Sequence, residues 1–214
     1  MKLAIFDLDG TLLNTLADLE YGCNTVLTLM GFPKLKEGEC VTYVGNGVSK
    51  LLERSLPSAH RTPENLALAR KIFFEYYDRH LWDFTHPYIG VCEMLDVLQS
   101  RGILLAVASN KYQDATERLV KYFFPNNSFV AVLGQRENVP VKPHPQIVED
   151  ILSQCHIKKE DVLYVGDSDV DMQTAHRAGV KSCGVTWGFK SRDVLAAYQP
   201  NFLIDKPEAL LDII

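Results

Sequence analysis

The chain has 214 residues, of which 47% are hydrophobic and 23% charged, with a net charge of -5. That length allows one large domain or a domain with an insert, and the balance is that of an ordinary globular protein. The acidic charge and the lack of a basic run speak against nucleic-acid or anionic-membrane partners, and no apolar stretch is long enough to span a bilayer.

The first predicted element is a buried parallel strand over Leu3 to Leu8, continuous and apolar. It runs into Asp7-Leu8-Asp9-Gly10-Thr11. Gly10 permits the sharp turn needed where the carboxylates emerge. Two acids one residue apart share a side if the chain stays extended, and so close together they call for a cation, a shared proton or both. An EF-hand calcium loop would need a preceding helix, further acids and a closing glutamate. Here an apolar strand precedes the acids, and Leu12 and Leu13 stand where ligands would be required.

The next part of the chain reads as helical. Leu16 to Met30, Lys50 to Leu56 and Pro63 to Phe84 are amphipathic, broken at Gly31-Phe32-Pro33 and at Gly45-Asn46-Gly47. The excursion is too long for a crossover loop and long enough for a small helical domain. Residues 14–87 are therefore expected to be an inserted cap, with 1–13 and 88–214 forming the core. Asn46 in its glycine turn could reach a ligand or could simply join two helices. Lys50 and Arg54 could meet a substrate carboxylate or form a solvated helix face with Glu53.

From residue 88 helices and strands alternate. Helices are expected at Val91 to Ser100, Gln113 to Phe123, Pro145 to Gln154, Val170 to Ala178 and Ser191 to Ala197. Strands are expected at Ile103 to Ala108, Phe129 to Leu133, Val162 to Val165 and Val180 to Val185. The alternation implies an α/β fold, a parallel sheet with helices on both faces, whose ligand crevice lies beyond the carboxyl ends of its strands.

Reactive groups follow those strands. Ser109-Asn110 could hydrogen-bond anionic oxygens or cap the following helix. Lys142 lies between Pro140 and Pro143, on a stiffened backbone that could aim its ammonium. Val165 is followed by Gly166-Asp167-Ser168-Asp169-Val170-Asp171, a hard-cation signal suited to magnesium. Asp167 is the expected metal ligand, Asp171 its support and Asp169 a helix-start residue. The six histidines lack ligand spacing, and the five cysteines lack paired spacing. Scattered, reduced thiols and an N-terminus unlike a signal peptide fit a cytoplasmic protein.

These four stations, Asp7-Leu-Asp-Gly-Thr11, Ser109-Asn110, Lys142-Pro143 and Gly166-Asp-Ser-Asp-Val-Asp171, resemble in order and spacing those of the haloacid dehalogenase-like hydrolase superfamily. The match spans essentially the whole chain. The helical insert resembles that superfamily's C1 cap, and Tyr43-Val-Gly-Asn-Gly47 with Lys50 and Glu53-Arg54 resembles its phosphoglycolate phosphatase branch. Asn14 stands where many relatives carry an acid.

The resemblance implies a Rossmann-like core and a magnesium-dependent phosphomonoester hydrolase acting on a small phosphorylated metabolite. Asp7 would be the nucleophile and Asp9 the general acid and base. Magnesium would be held by Asp7, the backbone carbonyl of Asp9 and Asp167. Ser109, Asn110 and Lys142 would bind the phosphoryl oxygens, with backbone groups near Gly10 and Thr11 completing the cradle. A phosphosugar phosphatase or mutase, or a pyrophosphatase, could use the same scaffold. A non-catalytic phospholigand-binding protein would retain ligand and release no phosphate.

Overall fold

Six strands paired in parallel form the central sheet, which packs apolar side chains against helices on both faces. A computed structural model describes residues 1–214. In chain order, β1 (Leu3–Phe6) leads through a turn to β2 (Leu13–Asn14). Helices α1 (Leu16–Leu29), α2 (Cys40–Tyr43), α3 (Gly47–Ser55) and α4 (Pro63–Tyr77) follow, before β3 (His86–Pro87) brings the chain back. The alternating part comprises α5 (Val91–Ser100), β4 (Leu104–Tyr112), α6 (Gln113–Phe123), β5 (Phe129–Gln135) and α7 (Gln146–Cys155). It ends with β6 (Val162–Gly166), α8 (Asp169–Ala178), β7 (Lys181–Val185), α9 (Arg192–Ala196) and β8 (Phe202–Ile204).

The sheet order is β5-β4-β1-β6-β7-β8, so the first strand of the chain sits between β4 and β6. Their register, Phe6 beside both Val107 and Val165, brings three strand ends to one edge. Successive strand residues point to opposite faces. Leu3, Ile5, Ala106, Ala108 and Tyr164 pack with Ile147 and Ile151 of α7 and Ala175 of α8. Ala4, Phe6, Leu105, Val107 and Val165 pack on the other face with Leu95 and Leu98 of α5 and Leu119 of α6.

The helical segment leaves and rejoins the sheet through an antiparallel ribbon in which Leu13 pairs with Pro87 and Asn14 with His86. Asp18, buried in the first turn of α1, accepts the amides of Phe84 (3.1 Å) and Thr85 (2.8 Å) and the Thr85 hydroxyl (2.6 Å). Those bonds draw the returning chain onto α1, which is why the helix expected to reach Phe84 ends at Tyr77. α1 and α4 form the segment's main pairing, with Leu19, Gly22, Cys23, Val26 and Leu27 facing Ala69, Phe73 and Tyr77.

Two further differences from the sequence reading concern strands. β8 was not expected, since Phe202 to Ile204 is too short to show a period, yet it pairs in parallel with β7. β4 runs on from its apolar part to Tyr112, while its ladder with β5 shifts register between Ala108 and Tyr112. Ser109, Asn110 and Lys111 occupy that irregular stretch and are nonetheless buried. No helix is long and apolar enough to cross a membrane.

The α1–α4 contact generates a stability prediction. A Cβ at Gly22 would lie 2.7 Å from Cε2 of the fully buried Phe73. Alanine gains up to about 1 kcal/mol of helix propensity, whereas overpacking costs about 1–3 kcal/mol. Gly22→Ala is expected to destabilise the protein by about 1–2 kcal/mol in denaturant titration, and a stabilised variant would show that the contact yields.

Candidate active site

The ends of β1, β4 and β6 converge on one charged cluster. Asp7 follows β1, and its amide donates to the Val165 carbonyl at 2.9 Å, locking it beside β6. Its Oδ1 accepts the Leu8 amide (2.7 Å) and lies 2.9 Å from Lys142 Nζ. Its Oδ2 accepts no hydrogen bond from the protein, and the side chain keeps 12% exposure, toward a cavity.

Lys142 is 2% exposed and wholly committed. Its ammonium reaches Asp7, Asp171 Oδ1 (2.8 Å), the Ala108 carbonyl (2.9 Å) and Tyr164 Oη (3.1 Å). Burial works against its charge, but Asp171 and Asp7 outweigh that and hold it well above the ordinary lysine range. Asn110 orients this loop: its Oδ1 accepts the Lys142 amide (2.9 Å), and its Nδ2 donates to the carbonyls of Lys142 (3.0 Å) and Gly45 (3.1 Å). The expected phosphate-binding amide thus joins the Lys142 loop to the loop before α3. Ser109 Oγ accepts the Lys111 amide at 3.1 Å, keeps its own proton uncommitted and lines the cavity.

Beyond β6, Asp167 Oδ1 accepts the Thr11 hydroxyl (3.2 Å) and Oδ2 the Phe189 amide (2.7 Å). Asp171 is the N3 residue of a capping box on α8: its Oδ2 accepts the Ser168 hydroxyl (2.6 Å) and amide (3.1 Å). With both oxygens engaged, Asp171 supports Lys142 and α8 and has little left for a ligand. Asp169 opens α8 outside the cluster. The backbone presses close here, since a Cβ on Gly10 would lie 2.3 Å from Asp167 Oδ2 and one on Gly188 2.3 Å from the Gly10 carbonyl oxygen. The amides of Gly10 and Thr11, expected in the phosphate cradle, close the turn instead, on the carbonyls of Leu13 (2.8 Å) and Leu8 (3.3 Å).

Sequence reasoning did not assign Lys111 or Thr15. Lys111 is 4% exposed, with Nζ 3.1 Å from Asp9 Oδ1, and Thr15 Oγ1 donates to the same oxygen at 2.7 Å. Burial opposes the Lys111 charge, and the Asp9 carboxylate and Tyr77 raise it above the ordinary lysine range. The available signal was the continuation of a buried strand into three polar residues, Ser109, Asn110 and Lys111. Trp187 donates from Nε1 to the Thr11 carbonyl at 3.0 Å.

The cavity above Asp7 is walled on the core side by Asp9, Ser109, Asn110, Lys111, Asp167 and Lys190, and on the helical side by apolar and glycine residues. That second wall is Leu19, Val44, Gly45, Gly47, Val48 and Leu51. Asn46, Lys50 and Arg54 do not reach it. Asn46 Oδ1 accepts Arg54 Nη2 (2.8 Å), Arg54 Nη1 donates to the Tyr43 carbonyl (2.9 Å), and Lys50 pairs with Glu53 (2.6 Å).

Electrostatically the cluster suits a divalent cation. Carboxylate oxygens of Asp7, Asp167 and Asp171 lie within 4.8 Å of one another. Asp7 and Asp171 pair with Lys142 and Asp9 with Lys111, while Asp167 joins no ion pair, so four carboxylates are matched by two paired lysines. Burial first and Asp171 second push the Asp167 carboxyl up to about 7, against the Phe189 amide and Thr11. Asp7 is raised in the same direction, by burial and by Asp171, with Lys142 opposing. Asp7 and Asp167 could hold a cation between them.

A proton on Asp167 below pH about 7 must leave when a cation binds, so affinity falls as pH falls. Calorimetric titration with magnesium should give binding at least about tenfold weaker at pH 6 than at pH 8, the ratio for the Asp167 proton alone, to which Asp7 adds. Equal affinities would remove Asp167 from the ligand set.

Comparison with known proteins identifies relatives along the whole chain. A sequence profile described as haloacid dehalogenase-like hydrolase matches residues 4–185. The chain is 32% identical over 219 aligned residues to a phosphoglycolate phosphatase of Mannheimia succiniciproducens, covering 100% of this chain and 98% of that one. It is 32% identical to a phosphoglycolate phosphatase of Haemophilus influenzae, with 100% and 98% covered. Its fold superposes with a TM-score of 0.93 on the crystal structure of a predicted phosphoglycolate phosphatase from Haemophilus somnus, 30% identical, covering 100% and 97% of the two chains.

Proposed function

The chain belongs to the haloacid dehalogenase-like hydrolase family, and from that premise we propose that it is a magnesium-dependent phosphatase that hydrolyses 2-phosphoglycolate through an aspartyl-phosphate. The observation that carries this reading is the state of Asp7, with one carboxylate oxygen pinned by Leu8 and Lys142 and the other open to the cavity. Such a pair gives a nucleophile a single direction of attack.

The mechanism follows from the side chains around it. Asp7 Oδ2 attacks phosphorus while the bond to the leaving oxygen breaks. Asp9, two residues on and 15% exposed, protonates the departing alkoxide, then takes a proton from the water that opens the acyl phosphate. Ser109 donates to a non-bridging oxygen, and the Lys142 ammonium lies behind Asp7 as charge develops. Magnesium, held by Asp7, Asp167 and the backbone carbonyl of Asp9, would offset the negative charge of the phosphoryl group.

Residues 14–87 are read as a cap over a core of 1–13 and 88–214, hinged on the β2–β3 ribbon. Its apolar wall suits a small substrate and excludes water when closed. Lys190 is the one cation on the cavity wall that joins no ion pair, which fits it to the carboxylate of phosphoglycolate. Five free cysteines and no disulfide support a cytoplasmic setting.

Phosphate release measured on 2-phosphoglycolate, sugar phosphates, pyrophosphate and p-nitrophenyl phosphate, with and without magnesium, tests the proposal. A preference for phosphoglycolate that is lost on chelation is expected, and silence across the panel would sink it. Asp7→Asn should abolish turnover with the circular dichroism spectrum unchanged, whereas normal turnover would remove Asp7 from the nucleophile role. Lys190→Ala should raise KM for phosphoglycolate about tenfold, the worth of one charge-assisted contact, and leave p-nitrophenyl phosphate unaffected. A KM raised equally for both substrates would place Lys190 outside carboxylate recognition.

A further inference from the structure

One buried ammonium has no task in the mechanism above. Lys111 lies at the end of β4, beneath the helical segment, with three groups around its Nζ. Asp9 Oδ1 is 3.1 Å away, Tyr77 Oη accepts at 3.0 Å, and the Tyr77 ring centroid lies 5.0 Å off. Tyr77 is the last residue of α4 and fully buried. The chain just beyond it is fastened to the core as well, with Arg118 Nη2 donating to the Asp78 carbonyl at 2.8 Å and the Tyr112 hydroxyl bonded to the Asp78 carboxylate. Lys111 therefore joins the helical segment to the carboxylate that must exchange a proton with the leaving group.

The geometry at Asp9 gives this bridge a chemical consequence. Lys111 and Thr15 both address Oδ1, and an ammonium can only donate. Oδ1 is thereby kept as an acceptor, which leaves Oδ2 to carry the proton toward the leaving oxygen. We propose that Lys111 is a positioning residue that fixes which oxygen of Asp9 faces the leaving group, and that its bond to Tyr77 makes this orientation depend on the seating of α4. The proposal rests on the phosphatase reading, because only a reaction with a departing oxygen gives Asp9 that task.

The discriminating measurement is kcat/KM for two esters that differ in need of a proton. An alkyl phosphate leaves as a strongly basic alkoxide and depends on Asp9, whereas p-nitrophenyl phosphate leaves as a stable phenolate. Wild-type turnover of either ester supports the underlying reading. If 2-phosphoglycolate is not turned over, the best alkyl phosphate of the panel replaces it as the probe. Lys111→Met should lower kcat/KM for the alkyl ester about 100-fold and for the aryl ester by less than about tenfold, within the usual range of general-acid contributions. Tyr77→Phe deletes one oxygen and should lower the alkyl value several-fold while leaving the aryl value unchanged. Lys111→Arg, which keeps a donor, should recover part of the loss. Equal losses on both esters, or no loss, would overturn the proposal. Should Lys111→Met fail to fold, the Tyr77→Phe ratio decides by the same criterion. A wild-type protein that hydrolyses no phosphate ester would overturn the phosphatase reading and this inference with it.

Discussion

The packing of four carboxylates, three of them buried, around two buried lysines is the constraint on which the rest of this structure depends. An unpaired ion taken out of water costs several kcal/mol even after relaxation. Asp7 and Asp171 share Lys142, Asp9 has Lys111, and Asp167 is held by the Thr11 hydroxyl and the Phe189 amide. These partners come from residues far apart in the chain and meet only because β1 lies between β4 and β6. The sheet order is therefore an electrostatic requirement as much as a packing one. A slip of one residue in β1 would point Asp7 to the other face and separate it from Lys142.

Close backbone approach is the second requirement, and it follows from the first. Asp167 can lie against the first turn only because Gly10 and Gly188 present no side chain to it. Gly10 also has φ of +83°, a region that glycine enters without strain. The loop after β7 then closes the cluster from above, with Trp187 bonded to the Thr11 carbonyl and Phe189 to Asp167. That loop contributes to charge placement through its backbone and to the cavity wall through Phe189 and Lys190.

Much of this arrangement was legible in the sequence, for identifiable reasons. Continuous apolar runs mark strands buried on both faces, so β1, β6 and the first part of β4 stood out, and glycines and acids after them marked the edge where chemistry collects. Asp7 and Asp167 could be placed at that one edge in expectation because each follows such a strand. What could not be read was anything set by long-range pairing. β8 is three residues long and owes its state to β7. The helical pattern of α4 ran on past Tyr77 because nothing local reveals that Asp18 takes the amides of Phe84 and Thr85. Lys111 looked like any lysine after a strand, and its partners, Asp9 after β1 and Tyr77 at the end of α4, are distant in the chain. For Lys50 and Arg54 the sequence left open a substrate contact or a solvated helix face, and in the fold their charges are taken up by Glu53, Asn46 and a backbone carbonyl.

The two walls of the cavity divide the work of recognition unequally. The core side carries every charged group, while the helical side offers Leu19, Val44, Val48 and Leu51 with two glycines. A phosphosugar bound there would bring several hydroxyls against side chains that cannot hydrogen-bond them, at about 1–3 kcal/mol for each one left unpaired. Phosphoglycolate brings a single carboxylate and a methylene, and the carboxylate can turn to Lys190 on the core side. On the proposed function, discrimination would then work more by what the helical wall refuses than by what it binds. The same wall serves catalysis, since excluding water strengthens each charged contact below it. On the proposed function, selectivity for a small acid and protection of the acyl phosphate would be two effects of one apolar surface.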